Sequence, residues 1–334
     1  MIMNLDQLRG FVEVAATRHF TRAAELLHVA QPTLSRQIST LEAELGVELL
    51  HRTRGNVALT AAGERLLPLA RRMLADAETA RKEMAELAGL RRGRIRIGAT
   101  PTLCLSLVAD VLAEFHGRYP GIDIEILERG SHTLVASLME GTLDLALIVT
   151  SVSSGAARAV LELEPILSEG LVVVWAATAD DPFADATGDA SATGDAAHAP
   201  VELRDLARVP QVAFPESYDL RVAMDAAFRA EGLAPLVAVE GAEMDAALRF
   251  AERGIGVAVV PAMVAALHPR LRAAPLADPA LRRTVSIARR CDMVPAPANA
   301  ALQELIHGVA DRLAEPDDGG ASVVTRLTGS PRRG

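Results

Sequence analysis

Thr33, Ser35, Arg36, Ser39 and Thr40 crowd into the run PTLSRQISTLEAELG. Hydroxyls and a guanidinium read base edges in a major groove or hold phosphate oxygens. Their chemistry is recognition, not bond making. His51, Arg52 and Arg54 form a second group around the turn Arg54-Gly55-Asn56, suited to phosphate or minor-groove contact. A third group is spread over Thr100-Pro101-Thr102, Gly130-Ser131-His132-Thr133 and Phe214-Pro215-Glu216-Ser217. Each of these turns follows a strand-like run and opens a helix-like one. Hydroxyls beside the free N–H groups of a helix start suit a small carboxylate. Plain helix capping uses the same hydroxyls. The candidate effector contacts are therefore Thr100, Thr102, Ser131, Phe214 and Ser217, with Phe214 closing an apolar side.

Bond-making constellations are missing from the sequence. No HExxH, Walker-A loop, GxSxG elbow or CxxC occurs, and Gly254 to Gly256 lacks the third glycine of a dinucleotide turn. The eight histidines are scattered, so neither a metal nor a cofactor is expected. Two cysteines exclude a disulfide scaffold and a Cys-rich zinc module. Cys104 falls at an apolar helix start and reads as core, not as a redox sensor.

The first recognition group must be positioned by helices. Leu5, Leu8, Val12 and Ala15 share one helix face. Thr21 is an expected cap for a short second helix ending near His28. Pro32 suits the first turn of a third helix, whose buried face is Leu34, Ile38, Leu41 and Leu45. Gln31, Pro32, Thr33, Ser35, Arg36, Ser39 and Thr40 are left to face DNA. This is a helix-turn-helix pattern, although an ordinary three-helix bundle with a solvated polar face carries it too. The runs Glu48 to Arg52 and Val57 to Leu59 then form a basic hairpin, a wing bearing Arg52 and Arg54.

From Thr60 onward, Leu66, Ala70, Met73, Ala77, Ala80, Met84 and Leu87 alternate spacings of four and three. That heptad seam predicts a long helix pairing with a second copy. Beyond Arg94, strand-like and helix-like runs alternate, which predicts an α/β body with mostly parallel sheets. Phe183 to Pro200 repeats TGDA and reads as a floppy inserted loop. Charge supports the division: residues 1–96 carry 15 Lys+Arg against 11 Asp+Glu, inside a chain of net charge −9. A basic head on an acidic body points to nucleic acid. Aromatics are only 3%, too few to stack single strands. Neither apolar stretch, Gly170 to Ala179 or Gly254 to Leu267, is long enough to span a bilayer. The N-terminus lacks a secretory pattern, so a cytoplasmic protein without membrane contact is expected.

The run AAELLHVAQPTLSRQISTLEAELGVELLHRTRGNVALTAAGERLL resembles the winged helix-turn-helix of LysR-type transcriptional regulators. The matching elements are Ala23-Ala24, Gln31-Pro32, Ser35-Arg36-Gln37, Leu41-Glu42, Leu45-Gly46, Arg52 and Leu59-Thr60-Ala62-Gly63. Leu50 stands where the family usually has Phe. The resemblance covers about residues 1–314. It implies a winged head over 1–60, a linker and dimerisation helix over 61–91, and an effector-binding domain over 92–316. That domain has two periplasmic-binding-protein-like lobes, lobe I at 92–165 and 268–316 and lobe II at 166–267. Residues 317–334 read as a disordered tail. The implied function is a sequence-specific transcriptional regulator of double-stranded DNA, gated by a small organic anion between the lobes. A homodimer, a homotetramer on an interrupted inverted repeat and RNA polymerase complete the implied partners. A transporter's solute-binding protein, or an enzyme with an accessory DNA-binding head, are the competing readings.

Overall fold

A computed structural model describes residues 3–53, 56–87, 93–149, 161–184, 198–216, 218–277, 281–293, 296–315 and 324–327. The chain divides into two compact units. One holds residues 1–96, 121–124 and 135–144; the other holds 97–120, 125–134 and 145–334.

The first unit begins with α1 (Leu5–Thr17), set by a reciprocal cap. Asn4 accepts from the Gln7 N–H at 2.9 Å, and Gln7 accepts from the Asn4 N–H at 2.8 Å. Its buried face is Leu8, Phe11 and Val14, rotated from the expected one, and Leu5 is left 43% exposed. Burying the phenyl ring of Phe11 sets that rotation. Helix α2 (Phe20–Leu26) is capped by His19, whose Nδ1 accepts from the Arg22 N–H, and not by Thr21. Helix α3 (Gln31–Leu45) buries Leu34, Ile38 and Leu41 completely. Leu45 is exposed instead of buried, because it stands in the last turn before Gly46. That glycine has φ +70°, the left-handed conformation that ends a helix.

The wing is β1 (Leu50–Thr53) antiparallel to β2 (Asn56–Leu59), with Leu50 opposite Leu59. Helix α4 (Ala61–Leu87) follows, its start capped by the Thr60 hydroxyl, which accepts from the Gly63 N–H at 3.0 Å. A Cβ on Gly63 would sit 2.2 Å from the Leu49 carbonyl oxygen, so only glycine lets α4 approach the wing this closely. Ala70 is fully buried in the head's own core, with Leu66, Leu67 and Leu74 packed against it. The first turns of the expected dimer seam therefore belong to the head.

The sheets of the α/β part of the chain are built around a long strand. Parallel strands β3 (Gly93–Ala99) and β5 (Leu145–Val149) pair through Ile97 and Leu145. Edge strand β4 (Ile122–Glu128) lies beside β3. Strand β6 runs from Leu161 to Ala176. Its second half pairs antiparallel with β9 (Ala258–Pro261) and β10 (Leu271–Pro275). Its first half pairs with β11 (Arg282–Arg290), which also pairs with β5. Like β3 and β5, the small β7 (Gln211–Ala213) and β8 (Val237–Glu240) run parallel, whereas the pairings of β6 with β9, β10, β11 and β12 are all antiparallel. The sheets are mixed, not mainly parallel, because β11 returns to the first sheet running the other way.

Helices cover these sheets. They are α5 (Pro101–Leu103) with a wide turn at Cys104–Val108, α6 (Ala109–Arg118), α7 (Ser131–Met139), α8 (Leu203–Leu206) and α9 (Asp219–Ala230). Then come α10 (Met244–Glu252), α11 (Ala262–Ala265) and α12 (Pro297–Leu313). Two details differ from expectation. Phe183, at the start of the supposed loose loop, is buried and edge-on to Trp175 at 5.7 Å; residues 185–197 lie outside the described part. Within the supposed disordered tail, Val324–Arg326 forms strand β12 on β6.

Candidate functional site

The head presents one polar helix face. Gln31, Pro32, Thr33, Arg36 and Ser39 are exposed on α3, and Ser35 and Thr40 are half-buried. The Thr40 hydroxyl donates to the Arg36 carbonyl at 2.9 Å, so its proton is used within the helix. Glu42, on the same helix, holds the wing: its Oε1 accepts from the Leu49 and Leu50 N–H groups at 2.9 and 3.3 Å. The Leu41-Glu42 element thus fixes the hairpin relative to the recognition helix. His51 is exposed, and Arg52 is placed by its backbone opposite Val57. Arg54 lies outside the described residues.

In the second unit, a cavity of about 450 Å³ opens between the turns at Thr100–Thr102 and Gly130–Thr133 and the side chains of Tyr218 and Met244. Thr100, Thr102 and Ser131 all line it and are each at least nine-tenths buried. Thr100 makes no side-chain cap bond to the helix it precedes, so capping does not explain it. The Ser131 hydroxyl accepts from the Val149 N–H at 3.1 Å, which ties α7 to the end of β5.

Phe214 does not reach the cavity. It is 4% exposed in the core with Val212, Ala247 and Leu248, and it stacks on Tyr218 at 5.5 Å. Tyr218 takes the cavity position instead. Its hydroxyl is bonded to Glu243; burial first, and then that bond, push its pKa upward, so it stays a neutral phenol. Ser217 lies outside the described residues.

The strongest group in the cavity was not among the expected ones. Arg283, at the start of β11, lines it beside Arg282. Its Nε donates to Glu169 Oε2 at 2.6 Å and its Nη1 donates to Thr102 Oγ1 at 2.7 Å. Glu169 is 0% exposed, and its other oxygen accepts from the Met263 N–H at 2.7 Å. The remaining Arg283 nitrogen, Nη2, is buried without a hydrogen-bond partner. An unsatisfied buried donor is costly, and a guanidinium edge donates well to a carboxylate oxygen.

Cys104 sits beside this region, half-buried. Burial, and to a lesser degree the Glu128 charge, push its thiol up to about 11. At neutral pH it is a thiol and a poor nucleophile. Among the described residues, no cluster of His, Cys, Asp and Glu could hold a metal, and no helix is long and apolar enough to cross a membrane.

Two family models match the chain. Residues 5–64 match the bacterial regulatory helix-turn-helix protein of the lysR family, and residues 88–311 match the LysR substrate binding domain. A probable nitrogen assimilation transcriptional activator from Synechococcus elongatus is 32% identical, over 85% of this chain and 88% of its own. Among solved structures, a full-length OxyR variant from Pseudomonas aeruginosa is similar at TM-score 0.67 and 27% identity, covering 93% of this chain and 95% of that one. Full-length CbnR complexed with its target DNA is similar at TM-score 0.61 and 25% identity, covering 92% of this chain and all of that one.

Proposed function

We propose a mechanism for a chain that belongs to the lysR family of bacterial helix-turn-helix regulators, and is therefore a DNA-binding transcriptional regulator and not an enzyme. In our reading, Thr33, Arg36 and their neighbours on α3 enter the major groove, while Arg52 and Arg54 of the wing hold the backbone. A small organic anion in the 450 Å³ cavity sets the affinity for DNA. The observation that carries this is the buried, unpartnered Nη2 of Arg283. One carboxylate oxygen there would complete the guanidinium, with Thr100, Thr102 and Ser131 offering hydroxyls nearby. Met244, Leu220 and Tyr218 supply apolar walls for the ligand's body. Bound anion then favours one closure state of the two lobes, and only differential affinity for the states can pass the signal on.

Assembly follows from the far part of α4. Met73 and Met84 are 39% and 60% exposed, Ala80 is exposed and Ala77 half-buried, so this face is open to a second copy. We expect a homodimer reading two half-sites, a homotetramer by pairing of dimers, work in the cytoplasm, and RNA polymerase as the downstream partner. Ala77→Glu should place a charge against the partner helix and separate the copies. Light scattering that finds wild type already a stable monomer at micromolar concentration ends this assignment.

The test of the anion reading is thermal unfolding of wild type against a panel of small aliphatic and aromatic carboxylates. A ligand present at about 100 times its Kd adds about 2.7 kcal/mol of stability. At least one carboxylate should raise the melting temperature and also shift a DNA titration. If none up to about ten millimolar moves the melting temperature, which at that ratio means no Kd below about 0.1 mM, the cavity is not a carboxylate site.

A further inference from the structure

We infer that strand β12 is a strap for the anion site: seated on β6, it holds the Arg282–Arg283 corner and its buried carboxylate in binding geometry, so that strap seating and anion occupancy strengthen each other. The inference rests on the anion reading above for its ligand and on the packing around Glu169 for its mechanism.

Without β12, the first half of β6 would be an edge over residues 167–169, since β11 covers only its other side. Strand β12 pairs Val324 with Glu169, Thr325 with Ser168 and Arg326 with Leu167, and the Leu327 N–H donates to the Ile166 carbonyl at 2.9 Å. Val324 is nearly buried. The residue it pairs with is the fully buried carboxylate that orients Arg283. An unpaired ladder frays, and a frayed ladder at Glu169 loosens both of its bonds, one to Arg283 and one to Met263.

Two side chains fasten the strap. Arg326 donates to the Ile166 carbonyl at 2.7 Å, approaches His307 Nδ1 at 3.0 Å and pairs with Asp311, so it clamps β12 to β6 and α12 together. Thr325 Oγ1 lies 3.3 Å from Arg282 Nη2, and Arg282 also donates to the Ser168 hydroxyl at 3.1 Å. Arg282 lines the cavity, so one strap residue touches a cavity residue directly. A strap that orders the corner removes part of the ordering cost of binding. By linkage the anion must then tighten the strap in turn.

Hydrogen exchange read by mass spectrometry tests this on the full chain, on Arg326→Ala and on a truncation after Glu315. The Met263 N–H lies in the first turn of α11, where it lacks a helical acceptor and depends on Glu169. With no anion added, peptides carrying Met263 and residues 166–169 should exchange about tenfold faster in both variants. Benzoate, the probe, should slow exchange at 324–327 in wild type and bind Arg326→Ala at least about fivefold more weakly. Wild-type rates at Met263 in both variants overturn the strap. Equal benzoate affinity with altered Met263 exchange overturns the coupling. Should benzoate fail to bind wild type, the carboxylate reading suffers, and the Met263 comparison still decides whether β12 holds Glu169.

Discussion

Replacing Arg283 with alanine is expected to remove the anion response and, separately, to destabilise the second unit. The stability loss arises because Glu169, wholly buried, loses the guanidinium 2.6 Å away and keeps, among the described residues, the Met263 N–H. Breaking a buried pair on one side typically costs about 3–5 kcal/mol. The binding loss arises because the Arg283 guanidinium, which lines the cavity, and its charge are gone. A buried charged hydrogen bond to a ligand is worth about 2–5 kcal/mol by truncation, some thirtyfold or more in affinity. The double variant Glu169→Gln with Arg283→Met separates the two effects. It removes both charges, so unfolding by heat should recover most of the stability, while calorimetry should still show the anion bound at least thirtyfold more weakly. A double variant that binds a responsive carboxylate as tightly as wild type would make Arg283 a purely structural residue.

The second large effect belongs to the head. Arg36→Ala and Thr33→Ala should each weaken binding to the specific DNA site by about 1–3 kcal/mol, or roughly five- to 150-fold, and relax the preference at one base position. Both side chains are exposed on α3, and neither supports the core formed by Leu34, Ile38 and Leu41. Folding should therefore be untouched, and binding to unrelated DNA should fall far less. Competition titrations at fixed salt measure this ratio, because salt alone changes DNA affinity steeply. Unchanged specific affinity in both variants would take α3 out of the groove.

What could be read from the residues and what could not divides along sequence distance. The α3 face was legible because Leu34, Ile38 and Leu41 repeat at helical spacing and fix which side is polar. Thr100, Thr102 and Ser131 were legible because a turn after a strand is a local pattern. The Arg283–Glu169–Thr102 network was not: its members lie 114 and 181 positions apart, and only the return of β11 to β6 brings them together. Nothing near Arg282-Arg283 marks it as more than a polar strand end. Phe214 was misplaced because the direction of a side chain at the end of a three-residue strand depends on which core it meets. The heptad spacing on α4 does not say which neighbour covers it, and the head's own core takes Leu66 and Ala70. Strand β12 was invisible for a similar reason. Val324, Thr325 and Arg326 become a strand because β6 offers an edge, and context of that kind outweighs local preference.

Regulation by this chain requires one coupling: anion in the cavity and DNA on α3 must feel each other in the same molecule. The direct measurement is a closed cycle with a carboxylate that stabilises wild type. DNA affinity is titrated with and without saturating carboxylate, and carboxylate affinity with and without the DNA site. The two ratios must be equal, and for a working regulator they should lie at about five- to 150-fold. A carboxylate that binds Arg283 tightly by calorimetry, while both ratios stay at one, would contradict the account.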